Sequence, residues 1–304
     1  MAYPTPQVTN TTAAVFIPEI WSDEVIAAYK SNLVAANVMK KMSFKGKKGD
    51  IIHIPQPTRG TPSVKASSTA VTLIADTETE ILVNINKHYE YSRFIEDITE
   101  VQALSSMRRF YTEDAGYSLA KQVDTDLVQL GRVMNAGDGT ADYNKGFTGL
   151  DGTTLYDGTN AAALTDIAVR NVIQKLDDQD VPTSGRFFLV PPAARNTLLG
   201  LDRYTAMDSV GDAGSANTIR NGHIGNLYGI PVYVTSNADT TSAADGDRVC
   251  LMGQKDAAVL VEQLGIRSQV QYKQDYLATL YTSDTIYGVQ ALREDSAFAM
   301  VVPA

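Results

Sequence analysis

The groups from which chemistry could be built are few in this sequence: His53, His88 and His223, a single cysteine at Cys250, and aspartates and lysines scattered among glycines. The histidines lie far apart, so no His-Glu-x-x-His pair can hold a metal ion from one helix face. One cysteine makes neither an intrachain disulfide nor a thiolate-rich cluster. Within Val249-Cys250-Leu251-Met252 it reads as a small buried hydrophobe. Gly46-Lys47-Lys48-Gly49 has the composition of a phosphate-cradling turn, but it leads into Ile51-Ile52-His53-Ile54, a strand, and not into a helix whose N-terminus could hold an anion. Gly222-His223-Ile224-Gly225 with Gly229 fails the dinucleotide pattern for the same reason, since the strand-like Ile230-Pro231-Val232-Tyr233-Val234 follows it. Gly116-Tyr117-Ser118-Leu119-Ala120 looks like a nucleophile elbow without its last glycine, yet it sits inside a long helical pattern where no strained turn exposes the serine. Asp138, Asp142 and Asn144 are spaced a little like calcium ligands, but without the glycine and the terminal bidentate glutamate of an EF-hand. These residues give no catalytic set, no cofactor fingerprint and no metal cluster.

The elements around them are more informative. The polar, Pro/Thr-rich stretch from Ala2 to Thr12 reads as an extended arm, and Ile20, Val25, Tyr29, Leu33 and Val34 have the spacing of a helix within 19–39. Two strand-like stretches, 50–55 and 80–92, flank a middle that contains Pro57, Gly60 and Pro62. The pattern predicts a long two-stranded projection. Because an isolated hairpin is marginal in water, such a projection should find its partner on another subunit. Met107, Tyr111, Ala115, Leu119, Val123, Leu127, Leu130 and Met134 recur at spacings of four and three, which predicts a helix over about 105–135, on the order of 45 Å long. After a glycine-rich stretch, a helix over 166–178 with Ile167, Val169, Val172, Ile173 and Leu176 inward, a strand at 187–190, a short helix at 193–199 and strands near 230–235, 249–253 and 257–262 make an α/β unit. The tail, 266–273, 279–293 and 297–302, is strand-dominated.

The charges of the projection are segregated. Lys45, Lys47, Lys48 and Arg59 lie in its first limb, and Glu78 and Glu80 in its second. Two readings stay open: two solvated faces, whose surface pairs are each worth about 0–1 kcal/mol, or a basic limb that meets an acidic patch on a neighbouring copy and sets register and association rate.

The chain as a whole has 304 residues and a net charge of −9, from 26 Lys+Arg against 35 Asp+Glu. That balance argues against a surface built to grip phosphates. The first positive side chain is Lys30 and no apolar run reaches the roughly 18 residues of a membrane span, so neither secretion nor membrane insertion is expected.

The order of parts resembles the major capsid proteins of tailed bacteriophages, which share the Hong Kong 97 fold. The local likeness runs through Gly49-Asp50-Ile51-Ile52-His53-Ile54-Pro55, Ala120-Lys121-Gln122-Val123-Asp124, Phe188-Leu189-Val190-Pro191-Pro192, Gly225-Asn226-Leu227-Tyr228-Gly229-Ile230-Pro231-Val232, Gly253-Gln254-Lys255-Asp256-Ala257 and Tyr287-Gly288-Val289. The resemblance implies an α+β fold with an N-terminal arm (1–40), an extended E-loop (41–98), a peripheral domain with a spine helix (99–159), an α/β axial domain (160–265) and returning strands of the peripheral domain (266–304). It implies a non-enzymatic shell subunit without cofactors, assembling with copies of itself into hexamers and pentamers around double-stranded DNA that the acidic chain contacts weakly. Its further partners would be a portal, a decoration protein and a separate scaffold protein, the last favoured by the start at Met1. Assembly would occur in the host bacterial cytoplasm. The lysine–asparagine crosslink of some relatives is not carried over, since no catalytic glutamate or acceptor asparagine can be matched. Alternatives are an encapsulin-like compartment, a tail or decoration protein, and an unrecognised enzyme.

Overall fold

A computed structural model describes residues 34–46, 48–56, 60–71, 73, 79–97, 106–201, 225–242 and 246–304. Most of the proposed arm, including the helix expected over 19–39, lies outside the described residues; what is seen of it is α1, Ala35–Val38.

Strand β6, Arg186–Val190, is buried along its whole length because both of its faces are covered. It sits inside a six-stranded sheet of order β5-β12-β9-β6-β8-β7, with β5 at Phe147–Thr148, β7 at Asn226–Leu227, β8 at Ile230–Val234, β9 at Arg248–Gln254 and β12 at Ala297–Val302. Phe188, Val190, Cys250, Met252 and Phe298 form one core with helices α3, Asp166–Asp178, and α4, Pro192–Leu199. Alternate residues point the other way: Phe187, Leu189 and Leu251 pack with α1 and the long helix α2, Ser106–Gln129. Helix α3 begins where Thr165 caps the Ala168 N–H with its side chain. Its buried stripe is Ala168, Val169, Val172 and Leu176. Ile167, expected inward, is exposed, because the turn that follows the Thr165 cap carries Ala168 and Val169 to the sheet and leaves Ile167 on the opposite side.

The expected 45 Å helix is shorter. Its α-helical part has 24 residues, about 36 Å at the standard rise, and the chain tightens into 3-10 turns at Leu130–Arg132 and Met134–Ala136. Packing ends it. Gly137 turns back so closely that a Cβ there would stand 2.1 Å from the Arg132 carbonyl oxygen.

A second sheet has four strands in the order β1-β10-β11-β4, with β1 at Lys40–Ser43, β4 at Lys87–Glu96, β10 at Ala258–Lys273 and β11 at Ala278–Ala291. The sequence suggests two strands where β10 runs unbroken for 16 residues, its irregularity at Gly265 absorbed as register shifts between Glu262 and Arg267. The tail also divides: β11 belongs to this sheet, whereas β12 crosses to the six-stranded one and pairs with β9. Its continuous apolar run, Ala297 to Val302, is buried throughout, as a central strand with two covered faces requires. The last two strands, β2 at Ile51–Gln56 and β3 at Thr79–Asn84, form a separate two-stranded sheet. The second expected limb, 80–92, is therefore broken at Ile85 and Asn86, beyond which β4 enters the four-stranded sheet.

Candidate assembly surfaces

The two-stranded sheet is closed at its root and open beyond it. Its register runs from Ile51↔Asn84 to Gln56↔Thr79, and the Ile85 N–H donates to the Asp50 carbonyl at 2.8 Å. Val83 and Ile85 are buried against Val259 and Val261 of β10, with Phe44, Ile52, Ile54 and Ile286 around them. On the opposite face of the hairpin Ile51 and Leu82 are exposed, and in the loop beyond β2 Val64 is 100% and Leu73 88% exposed. Apolar side chains held this far from any core contribute no burial within the single chain.

The four-stranded sheet has uncovered edges as well. Strand β1 pairs only with Val259–Glu262 of β10, so among the described residues the outer edge of 266–273 has no strand beside it. Ile266, Val270 and Tyr272 are exposed along it, and Tyr276, Leu277 and Phe94 at the tip. The Phe94 and Tyr276 rings meet at 5.7 Å, and Leu277 adopts a left-handed φ of 45°, unusual for a leucine. The protection of the outer edge is limited to Arg267, Lys273 and the irregularity near Gly265, so an edge of this length is a template for pairing with another chain.

Among the residues singled out in the sequence, Lys45 Nζ lies 3.8 Å from Glu262 Oε2 of β10, and Lys48 is exposed at the foot of the projection. Glu80 Oε2 sits 2.8 Å from His53 Nδ1 across the hairpin. Among the described residues no ion pair joins the lysines to Glu80, and Lys47, Arg59 and Glu78 lie outside the described residues. The calcium-like loop is held by its own donors: Asp138 Oδ1 accepts from the Thr140 backbone and hydroxyl at 2.9 and 2.6 Å, and Oδ2 from Asn144 at 2.8 Å. Those hydrogen bonds hold its carboxyl below the usual range. Among the described residues no group of three or more potential ligands could hold a metal ion, and no helix is long and apolar enough to cross a membrane. Burial pushes the Cys250 thiol well up.

The side chains that brace these surfaces are buried carboxylates, which sequence reasoning missed. On α2, Asp124 Oδ1 accepts the Ala35 N–H at 2.8 Å and Oδ2 accepts from Asn237 at 3.0 Å, so one carboxylate ties the arm segment, the long helix and the loop after β8 together. Burial raises its pKa, against those hydrogen bonds. Half a turn on, Asp126 Oδ2 accepts the Tyr287 hydroxyl at 2.6 Å and Lys87 Nζ lies 2.9 Å away, fastening α2 to β11 and β4. Arg132 donates two hydrogen bonds to Asp239, at 2.7 and 2.9 Å, and the Tyr143 hydroxyl donates to Asp239 Oδ2 at 2.6 Å. Each of these carboxylates is held by internal donors, which is bracing chemistry. The available signal was Asp124 within an otherwise helical apolar pattern, a position where a carboxylate survives burial only if it is hydrogen-bonded.

The profile of a family described as phage capsid protein matches residues 95–300. Among solved structures, one of Mycobacterium phage Che8 superposes with a TM-score of 0.73 at 23% identity, covering 94% of this chain and 97% of that one. The capsid structure of cyanophage P-SCSP1u gives a TM-score of 0.76 at 19% identity over 99% of both chains. The capsid of Ralstonia phage GP4 gives 0.67 at 13% identity, over 99% of this chain and 98% of that one. These likenesses show the fold. Proteins with curated descriptions give no match.

Proposed function

The chain belongs to the phage capsid protein family and is a structural protein of the capsid, not an enzyme, and we propose that its copies join into hexamers and pentamers that close into an icosahedral head shell around double-stranded DNA. The observation that carries this reading is the projection, a two-stranded element packed on the four-stranded sheet by one face, with apolar side chains uncovered on its other face and in its loop. Such an element lowers the free energy of the chain only when a neighbour covers it. Once a subunit touches several neighbours, each further contact forms at high effective concentration, so modest interfaces sum to a stable particle.

In this reading the arm is 1–40, the E-loop 41–98, the peripheral domain 99–159 with the strands of 266–304 other than β12, and the axial domain 160–265, whose β9 pairs with β12. Lys45, Lys47, Lys48 and Arg59 of one copy face Glu78 and Glu80 of another and set register and rate more than affinity. A scaffold protein, a portal and a decoration protein are the further partners, and assembly takes place in the cytoplasm of a bacterial host. The net charge of −9 leaves DNA enclosed without being gripped.

Expression of the chain with and without a scaffold, followed by sedimentation, negative-stain imaging and nuclease digestion, tests the proposal. Closed shells that protect DNA in infected cells are expected. Tubes, monomers only, or shells that enclose protein cargo and no DNA would overturn it.

A further inference from the structure

Strand β11 is covered on both faces at one point. Tyr287 is buried and directs its hydroxyl to Asp126 on α2, while its neighbour Gly288 faces the other way, toward the root of the projection. A Cβ built on Gly288 would stand 2.4 Å from the Asn84 carbonyl oxygen, 3.1 Å from the Asn84 carbonyl carbon and 3.2 Å from Ile85 Cα. Gly288 is not among the residues with positive φ, so strand geometry alone would admit any residue there. The glycine is required by the closeness of another backbone. That backbone is the point where β3 ends, with Val83 and Ile85 buried against Val259 and Val261 on either side of the crossing.

We infer that Gly288 is the seat of the projection: the missing side chain sets the height and angle at which β2 and β3 cross the four-stranded sheet, and thereby where the projection meets a neighbouring copy. The atoms it would strike are main-chain atoms, which cannot turn aside as the end of a flexible side chain can. A methyl group here lifts the root by at least about 1 Å to restore ordinary carbon contact distances. The six-residue strands extend that displacement over roughly 20 Å. Gly288 is therefore a positioning residue, and the inference rests on the proposal that the projection is an assembly element.

The test uses the full chain, spin-labelled through Leu82→Cys on the projection and Gln269→Cys on β10, both exposed positions, with the native Cys250 buried. The distance between labels in the unassembled subunit is compared for Gly288, Gly288→Ala and Gly288→Val, alongside particle yield in unlabelled chains. Two controls separate position from stability. Gly253→Ala places a Cβ 2.5 Å from that of Ala297 inside the six-stranded sheet, and Gly116→Ala enters open space on α2. Expected is a label distance that changes by at least about 1 Å with alanine and more with valine, with loss of closed particles. Gly253→Ala should lower thermal stability with no change of distance, and Gly116→Ala should assemble normally. If Gly288→Val fails to fold, the alanine variant carries the test. A distance unchanged in Gly288→Ala would overturn the inference. A changed distance with normal particles would uphold the seat and overturn the reading of the projection as an assembly element.

Discussion

In the six-stranded sheet, Phe188, Val190 and Met252 pack on α3 and α4 while Phe187, Leu189 and Leu251 pack on α1 and α2. The projection is made of similar residues, Ile51, Ile54, Leu82 and Val83, yet only one face of it, with Val83 at the centre and Ile54 beside it, is covered, and Ile51 and Leu82 on the other face meet solvent. Composition does not distinguish the two regions; what lies within reach of each does. A core closed by its own helices holds a fold by itself. A strand pair that leaves Val64, Val71 and Leu73 uncovered is completed from outside.

The largest effect that could break this comparison is on assembly alone. Removal of residues 60–71 should abolish closed particles in negative-stain images while the subunit keeps its thermal transition; normal particles would show that the projection is dispensable. The reverse case is Phe188→Ala, which empties a fully buried site between β9, α3 and α4. It should cost about 3–5 kcal/mol in denaturant unfolding of the unassembled subunit, and a cost under 1 kcal/mol would mean that the six-stranded core is not where stability resides.

A smaller effect concerns pH in the four-stranded sheet. Arg267 donates to both oxygens of Asp284, at 3.0 and 2.7 Å, and with His88 it holds that carboxyl below its ordinary value against the opposing effect of burial. The folded chain thus binds this proton more weakly than the unfolded chain. The contribution is complete above the ordinary carboxylate value of about 4 and is lost as pH falls through the lower folded value. Arg267→Ala should flatten the acid limb of the stability profile, measured by denaturant titration between pH 3 and 7, and an unchanged limb would show that the pair does not contribute. The smallest effect is electrostatic. Replacement of Lys45, Lys47 and Lys48 by alanine should cost less than about 1 kcal/mol in the subunit and slow assembly only at low salt. Equal rates at low salt would return these charges to the role of a solvated face.

Periodic elements were legible in the sequence because their signals are local. The helix at Asp166–Asp178 and the strands at Arg186–Val190 and Ala297–Val302 fall where their patterns place them. The apolar repeat of the long helix was also legible as far as Gln129, but its end was not, since Gly137 acts through the closeness of the returning backbone. Which sheet each tail strand joins was equally hidden: Tyr287 and Phe298 are both buried aromatics, and only the tertiary path separates β11 from β12. For the assembly surfaces, the projection could be read from its strand–loop–strand pattern. The carboxylates at Asp124, Asp126 and Asp239 could not, because their donors come from residues up to 161 positions away.

Hydrogen exchange, compared between unassembled subunits and closed particles, tests the central claim most directly, because protection reports local opening in each region separately. The amides of Phe187–Val190 and Val249–Met252 should be protected in both states, whereas those of His53, Ile54, Gln56 and Thr79–Leu82, away from the buried root, should exchange fast in the subunit and slowly in the particle. Projection amides already as protected as the six-stranded sheet before assembly, or unchanged after it, would contradict the account.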